Sequence, residues 1–130
     1  MKEASIRNLA CFGMSIIAAW SFISQGWMKT PWYKGSSEYA ARFRDWGYDA
    51  DFAVTIGIVE LAVGLLLIFP RTTSIGSTVG FVVMLGAIYT HLNTGIGKPG
   101  FAILLALLCL VLIFLRWPES ILNRKRNLPD

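Results

Sequence analysis

Apolar residues are gathered into four long runs, and most polar and charged residues lie between the runs or near the two ends of the chain. A helix needs about 20 residues to cross the hydrocarbon core of a bilayer, and each run has about that length. The strands of a membrane barrel would alternate apolar and lumen-facing residues, which these runs do not. The pattern therefore predicts an all-α integral membrane four-helix bundle. Its transmembrane helices are expected at about residues 8–28, 52–69, 74–92 and 100–117.

The connection between the first two runs, residues 29–51, is the longest and contains a further predicted helix. Ser36 or Ser37 is expected to cap the start of this short helix, because serine side chains accept hydrogen bonds from helix N-terminal amides. Gly47 is expected to end it, because glycine readily adopts the left-handed conformation found after helices. The bundle should thus carry a short amphipathic helix at the membrane interface.

The short helix brings aromatic side chains to one face. Tyr39, Phe43 and Trp46 recur at helical spacing, whereas the charged residues of the segment fall elsewhere. One interpretation is an anchor whose aromatic rings lie at the level of the lipid headgroups. The other is a lid over an outward-facing pocket. The sequence favours the anchor and leaves the lid open.

Composition supports a membrane protein. Among the 130 residues, 55% are hydrophobic and 15% are charged, against roughly 25% charged in a typical soluble domain. The net charge is +4, but basic residues at the ends of apolar runs set membrane orientation, so no nucleic-acid partner is expected. Seven of the 12 Lys and Arg residues lie on one side of the predicted bundle. That side, with both termini and the basic tail 118–130, is expected to be cytoplasmic.

Glu60 is the conspicuous acid within the apolar runs. A carboxylate at that depth costs about 2.5–3.5 kcal/mol or more, so it should face the bundle and find a partner. Gly57 and Gly64 share its helix face and would allow a neighbouring helix to approach closely. Glu60 is thus either a functional acid or a structural hydrogen-bond tie, and the sequence favours neither.

Other polar residues fall at a similar depth and could share a pocket with Glu60. An ion pair between Lys29 and Glu60 is one candidate arrangement, although a lone histidine such as His91 is more often simply hydrogen-bonded. Glu60 and His91 are the candidate catalytic residues. The candidate cofactor-binding residues are Gln25, Lys29, Glu60, Met84 and His91.

No metal site is expected, because the chain has one histidine and its two cysteines do not form a C-x-x-C pair. The cysteines, Cys11 and Cys109, lie within apolar runs and should be buried as small hydrophobic residues. No nucleotide-binding or hydrolase motif is present, so no cofactor is evident within the chain.

The second run resembles the second helix of the DoxX-like (DoxX/DoxD) membrane proteins. Residues 56–64 read IGIVELAVG, which matches a G-x-x-E-L-x-x-G core, and residues 69–72 read FPRT, which matches a Pro/Arg turn. Residues 84–92 resemble the third helix of that family, and residues 24–29 resemble the end of its first. The resemblance extends over about residues 8–117.

The resemblance implies a multi-pass four-helix bundle in the bacterial cytoplasmic membrane. Named members are linked to redox work, as a membrane subunit of a thiosulfate:quinone oxidoreductase and as a partner of oxidative-stress enzymes. By motif position, Lys29, Glu60 and His91 would be the polar positions of the family. The outer loop departs from the family pattern, because Tyr48 is followed by Asp49 rather than proline and the aromatic segment is long.

Two hypotheses about function follow. In the first, the chain is an accessory membrane subunit of a redox complex that binds a quinone, with Glu60 and His91 handling protons and Lys29 setting the local charge. In the second, it is a non-catalytic scaffold that docks through small-residue helix faces, and Glu60 is a packing tie. Either role implies a subunit rather than a self-sufficient enzyme. Its expected partners are the lipid bilayer and a membrane protein or a second copy of the chain.

Overall fold

Every regular element in the described part of the chain is a helix. The computed structural model describes residues 2–95 and 97–116, so Trp117 and the predicted basic tail lie outside the described residues. Four long helices correspond to the four apolar runs, and a shorter one occupies the first connection. In chain order they are α1 (Lys2–Met28), α2 (Ser36–Asp45), α3 (Ala50–Ile68), α4 (Thr73–Thr94) and α5 (Gly100–Arg116).

Three of the helices are long and apolar enough to cross a membrane. These candidate spans are Ser5–Met28, Ala50–Ile68 and Thr73–Thr94. The remaining long helix, α5, is equally apolar but has 17 residues, which gives a length of about 25 Å at 1.5 Å per residue. That is shorter than a typical hydrocarbon core of about 30 Å. The predicted crossing by this segment therefore stays a prediction.

The first helix begins earlier than predicted, at Lys2 rather than near residue 8. Its polar first turns are tied to the end of α5. The Arg7 side chain donates a hydrogen bond to the carbonyl of Leu115 (2.7 Å), and Arg116 donates to the side chain and carbonyl of Asn8 (both 3.4 Å). Hydropathy missed this start because these residues are polar. The other described boundaries differ from the prediction by one or two residues.

One hydrophobic core joins the four long helices. Phe22 of α1, Leu67 of α3, Met84 of α4 and Leu112 of α5 all belong to the same buried cluster. In the packing, α1 lies against α3 and α5, and α4 lies against the same two helices, whereas α2 packs on α3 outside the core. The two cysteines are buried and free, which confirms that they act as small hydrophobic residues here.

Glycines bring α1 and α3 into close contact. A Cβ atom added to Gly26 would lie 2.6 Å from the carbonyl oxygen of Gly57, and one added to Gly57 would lie 2.8 Å from that of Gly26. Farther along, Gly64 lies against the carbonyl of Ala19 and the side chain of Ile23. The prediction that Gly57 and Gly64 admit a close neighbour is thus confirmed, and that neighbour is α1.

The glycines of α4 also pack inside the chain. An added Cβ at Gly76 would meet the side chain of Leu66 at 2.8 Å, and one at Gly80 would meet the ring of Phe22 at the same distance. Both glycines are buried. The small-residue faces of α3 and α4 are therefore occupied by contacts within this chain.

The start of α2 differs from the prediction. The N-cap position is Gly35, and no side chain caps the helix, so neither Ser36 nor Ser37 acts as the cap. The chain instead enters α2 through successive turns, in which the Ser36 amide already donates to the carbonyl of Tyr33 (3.2 Å). The ring of Tyr33 also fills the space that a side chain at position 35 would need.

The end of α2 agrees with the prediction. Gly47 has a φ of +92°, the left-handed conformation that favours glycine. The amides of Gly47 and Tyr48 donate to the carbonyls of Arg44 (2.9 Å) and Phe43 (2.8 Å). This pair of bonds is the Schellman motif, which stops the helix and turns the chain towards α3.

We expect Gly26→Ala to destabilise the protein, because the added methyl group would push the α1 and α3 backbones apart. Overpacking of this kind costs about 1–3 kcal/mol. Gly13→Ala is the matched control, since Gly13 is an exposed glycine of the same helix with nothing within 4 Å of an added Cβ. Thermal unfolding in detergent should show a lower midpoint for the first variant only. Equal midpoints would contradict the close contact.

Candidate functional site: a charged cavity beneath α2

A buried ion pair joins the end of α1 to the middle of α3. The ammonium Nζ of Lys29 donates a hydrogen bond to the carboxylate Oε2 of Glu60 at 2.8 Å, and the two side chains are 9% and 5% exposed. The predicted arrangement is therefore confirmed. Gly26 and Gly57, each three residues before a charged partner, hold the two backbones close enough for the pair to form.

The remaining contacts of Lys29 hold its ammonium inside the protein. It also donates a hydrogen bond to the carbonyl of Gln25 at 3.2 Å, and it lies 5.4 Å from the centre of the Tyr39 ring. A cation over an aromatic face is attracted by the negative face of the ring. Lys29 thus points inward and does not extend to the membrane surface, and α2 helps to hold it there.

A cavity of about 500 Å³ adjoins the ion pair, and we call it the charged cavity. All five residues predicted to bind a cofactor line it, so their convergence is confirmed, whereas their roles remain predictions. They come from the end of α1, the middle of α3 and the second half of α4. The five are Gln25, Lys29, Glu60, Met84 and His91.

The second helix covers the charged cavity. Tyr39, Arg42 and Trp46, all on or next to α2, line it from above. The predicted aromatic face is therefore real, but it faces the protein: Phe43 is buried, and Tyr39 and Trp46 are half-buried. This orientation favours the lid over the anchor that the sequence preferred. The exposed aromatic side chains near α2 include Trp27 and Trp32, which precede the helix and stack on each other.

His91 lies between the cover and the end of α4. The indole of Trp46 meets its imidazole edge-on, with ring centres 5.1 Å apart. On another side, an added Cβ at Gly97 would lie 3.1 Å from the imidazole ring, and Gly97 has a φ of +77°. The loop after α4 therefore needs a glycine here both for its backbone and for the space that the histidine occupies.

A second cavity, of about 310 Å³, lies beside the first, and we call it the apolar cavity. The two share part of their lining, including Trp46, Glu60 and His91. Aromatic and aliphatic side chains provide most of the remaining wall. Those residues are Phe43, Tyr48, Phe52, Ile56, Val82, Val83, Gly86 and Thr90, with Ala87 shared.

A family model described as the DoxX-like family matches residues 13–114, which include the ion pair, both cavities and most of the four long helices. The chain belongs to the DoxX-like family. No curated protein and no solved structure matched it significantly. With three helices long and apolar enough to cross a bilayer, this DoxX-like protein is a membrane protein.

Sequence reasoning missed several residues of the site in this DoxX-like chain. Arg42 and Lys98 line the charged cavity, and Trp46 lines both cavities. The aromatic spacing within α2 was the available signal for Trp46, but spacing alone does not say which way a helix face turns. Lys98 gave no signal, because it stands alone in a short loop. Within residues 2–95 and 97–116 there is no group of three potential metal ligands.

Removing one member of the ion pair should destabilise this DoxX-like protein more than removing both. A single buried charge without its partner typically costs about 3–5 kcal/mol, whereas an apolar pair of similar volume is often neutral. We therefore expect Lys29→Met and Glu60→Leu each to lower the unfolding midpoint, and the double variant to recover most of the loss.

The measurement is thermal unfolding of the four proteins in one detergent. Glu38→Leu serves as the control for the loss of a glutamate, because Glu38 is exposed on α2. Additive losses in the double variant would show that the pair contributes no coupling energy.

Proposed function

We propose that this DoxX-like protein is an accessory membrane subunit of a redox complex and that it binds a quinone-type headgroup in the charged cavity. The observation that carries the proposal is that Lys29, Glu60 and His91 all line one cavity, which α2 covers. Binding sites for small molecules are mostly apolar concavities with a few well-placed polar groups, as here. A bound quinone would supply two-electron, two-proton exchange.

The residues of the chain would bind the ligand and handle its protons. Glu60, oriented by its 2.8 Å bond to Lys29, is the group that would accept or give up a proton. His91 would hydrogen-bond an oxygen of the ligand, and its ring is positioned by Trp46. Arg42 and Lys98 add positive charge at the same cavity, which favours an electron-rich ligand. Electron transfer is assigned to a partner protein, because the sequence carries no motif for a redox cofactor.

The proposal includes an arrangement in the membrane. All four long helices would cross the bacterial cytoplasmic membrane, with α2 on the outer side and both termini in the cytoplasm. Because α5 shares the core with α1 and α4, it would sit in the bilayer beside them despite its shorter length. A helix with a short apolar stretch is accommodated by local thinning of the bilayer or by flanking residues.

The alternative of a scaffold that docks through small-residue faces receives less support. Gly57, Gly64, Gly76 and Gly80 all contact neighbouring helices of the same chain and are buried there. A scaffold would have to use another surface. A packing tie at Glu60 also gives no reason for the cavity that adjoins it.

The test is to purify the tagged protein from its native membranes and to measure co-purifying quinones and proteins by mass spectrometry. We expect the natural protein to co-purify with a redox enzyme and with more quinone than the surrounding membrane contains. Glu60→Gln should retain the partner but lose most of the turnover of the complex, because an amide cannot accept or give up a proton at neutral pH. It should also lose most of the quinone, because the change leaves the Lys29 charge at the cavity without its carboxylate partner.

Glu38→Gln, a change of the same kind at an exposed position of α2, should behave like the natural protein. If Glu60→Gln yields too little protein, His91→Gln tests the hydrogen bond to the ligand without breaking the ion pair. Normal turnover with Glu60→Gln would refute the proton role, and normal quinone content with both site variants would refute the binding site. Loss of the partner with either variant would instead favour a structural tie.

A further inference from the structure

The apolar cavity has a wall with polar groups, a side closed by aromatic rings and an open side. Its wall towards the charged cavity carries Glu60, Trp46 and His91. The side nearest α2 is closed by aromatic rings: Tyr48 and Phe52 have ring centres 4.9 Å apart, and Phe43 lies 6.1 Å and 5.9 Å from them. These rings separate the cavity from the loop end of the protein.

A hydrogen bond reinforces this closed side. The hydroxyls of Tyr48 and Thr90 are 2.9 Å apart, and Thr90 also donates to the carbonyl of Gly86 at 2.9 Å. Because the threonine proton is used in the second bond, Tyr48 is the donor in the first. The bridge ties the residues before α3 to α4 directly above the cavity.

The side between α3 and α4 is open. Val82 and Gly86 lie one turn apart on α4 and line the cavity, yet Val82 is 62% exposed and an added Cβ at Gly86 would have nothing within 4 Å. Across the gap, Phe52 of α3 is 40% exposed. This surface lies within two of the helices that are long and apolar enough to cross a bilayer. With α3 and α4 crossing the bilayer as proposed, the opening would face lipid rather than water.

Trp46, which lines this cavity, carries a buried hydrogen-bond donor. The indole nitrogen Nε1 of Trp46 is inaccessible to solvent and has no hydrogen-bond acceptor among the described residues. Buried polar groups in native proteins nearly always have a partner, so an orphaned donor needs an explanation. The nitrogen is closed off from the cavity in this structure, so a carbonyl oxygen of a ligand would satisfy it after a rotation of the indole towards the cavity.

We infer that the apolar cavity is a second binding compartment, through which a lipid-soluble carbonyl ring compound reaches Glu60 and His91 laterally from the bilayer. The ring would pass between α3 and α4 at Gly86 and would accept a hydrogen bond from Trp46. The volume of about 310 Å³ suits one small ring system. This inference rests on the proposed function, because it supplies the route and the holding group for the ligand of that site.

The experiment uses the full chain in lipid nanodiscs incubated with decylubiquinone. Bound quinone is extracted and measured per protein, after subtraction of the amount in empty nanodiscs. Gly86→Leu places a branched side chain in the opening, and we expect about tenfold weaker retention. Gly13→Leu is the matched control, because Gly13 is an exposed glycine on α1 with nothing within 4 Å of an added Cβ, and it lines neither cavity. It should leave retention unchanged.

Trp46→Phe is the second variant, since it keeps an aromatic ring beside His91 and removes the N–H donor together with part of the indole. We expect weaker retention of decylubiquinone with a normal unfolding midpoint. If Glu60→Gln abolishes retention but Gly86→Leu and Trp46→Phe both bind as the natural protein does, the lateral route is wrong and the proposed function stands. If the natural protein retains no more quinone than empty nanodiscs, both are wrong.

Discussion

The buried ion pair between Lys29 and Glu60 is the constraint around which the α2 end of the protein is organised. An isolated charge inside a membrane protein is costly, so each partner requires the other at hydrogen-bond distance. Gly26 and Lys29 are three residues apart on one side of the contact, and Gly57 and Glu60 are three apart on the other. The glycines allow the helix axes to approach, and the charges then fix the register between them. A shift of one residue in either helix would separate the charges and bring side chains into the glycine contact.

The same ion pair also influences where α2 lies. Because Lys29 follows the end of α1 directly and points inward, the chain must cross above it before it enters α3. The cover formed there is both aromatic and cationic, since the centre of the Tyr39 ring is 5.4 Å from the charged group of Lys29 and 5.3 Å from that of Arg42. Trp46 continues this cover to His91 on α4. These contacts join the end of α1, α2 and α4 above a polar interior. Packing of apolar side chains alone would not form such an interior.

Much of the fold and of the candidate site could be predicted from the sequence. The features that could not be predicted depend on long-range contacts, which hydropathy and residue spacing do not report. Hydropathy located the long helices, and the spacing of Gly57, Glu60 and Gly64 predicted both a close neighbour and an inward-facing carboxylate. Depth along the helices correctly grouped Lys29 and His91 with Glu60. Hydropathy could not extend α1 over Arg7 and Asn8, whose contacts with α5 are long-range. Nor could spacing say that Trp46 faces inward, because the interface and the protein interior both accept an aromatic face.

The cavities bear on whether Glu60 is a functional acid or a structural tie. A tie needs only the paired charge and the two glycines, and it gives no reason for concave space beside the pair. Here about 500 Å³ of space lies on one side of the pair and about 310 Å³ beside it, with Glu60 in the lining of both. Space next to a buried, oriented carboxylate therefore supports the proposed binding site more than a purely structural tie.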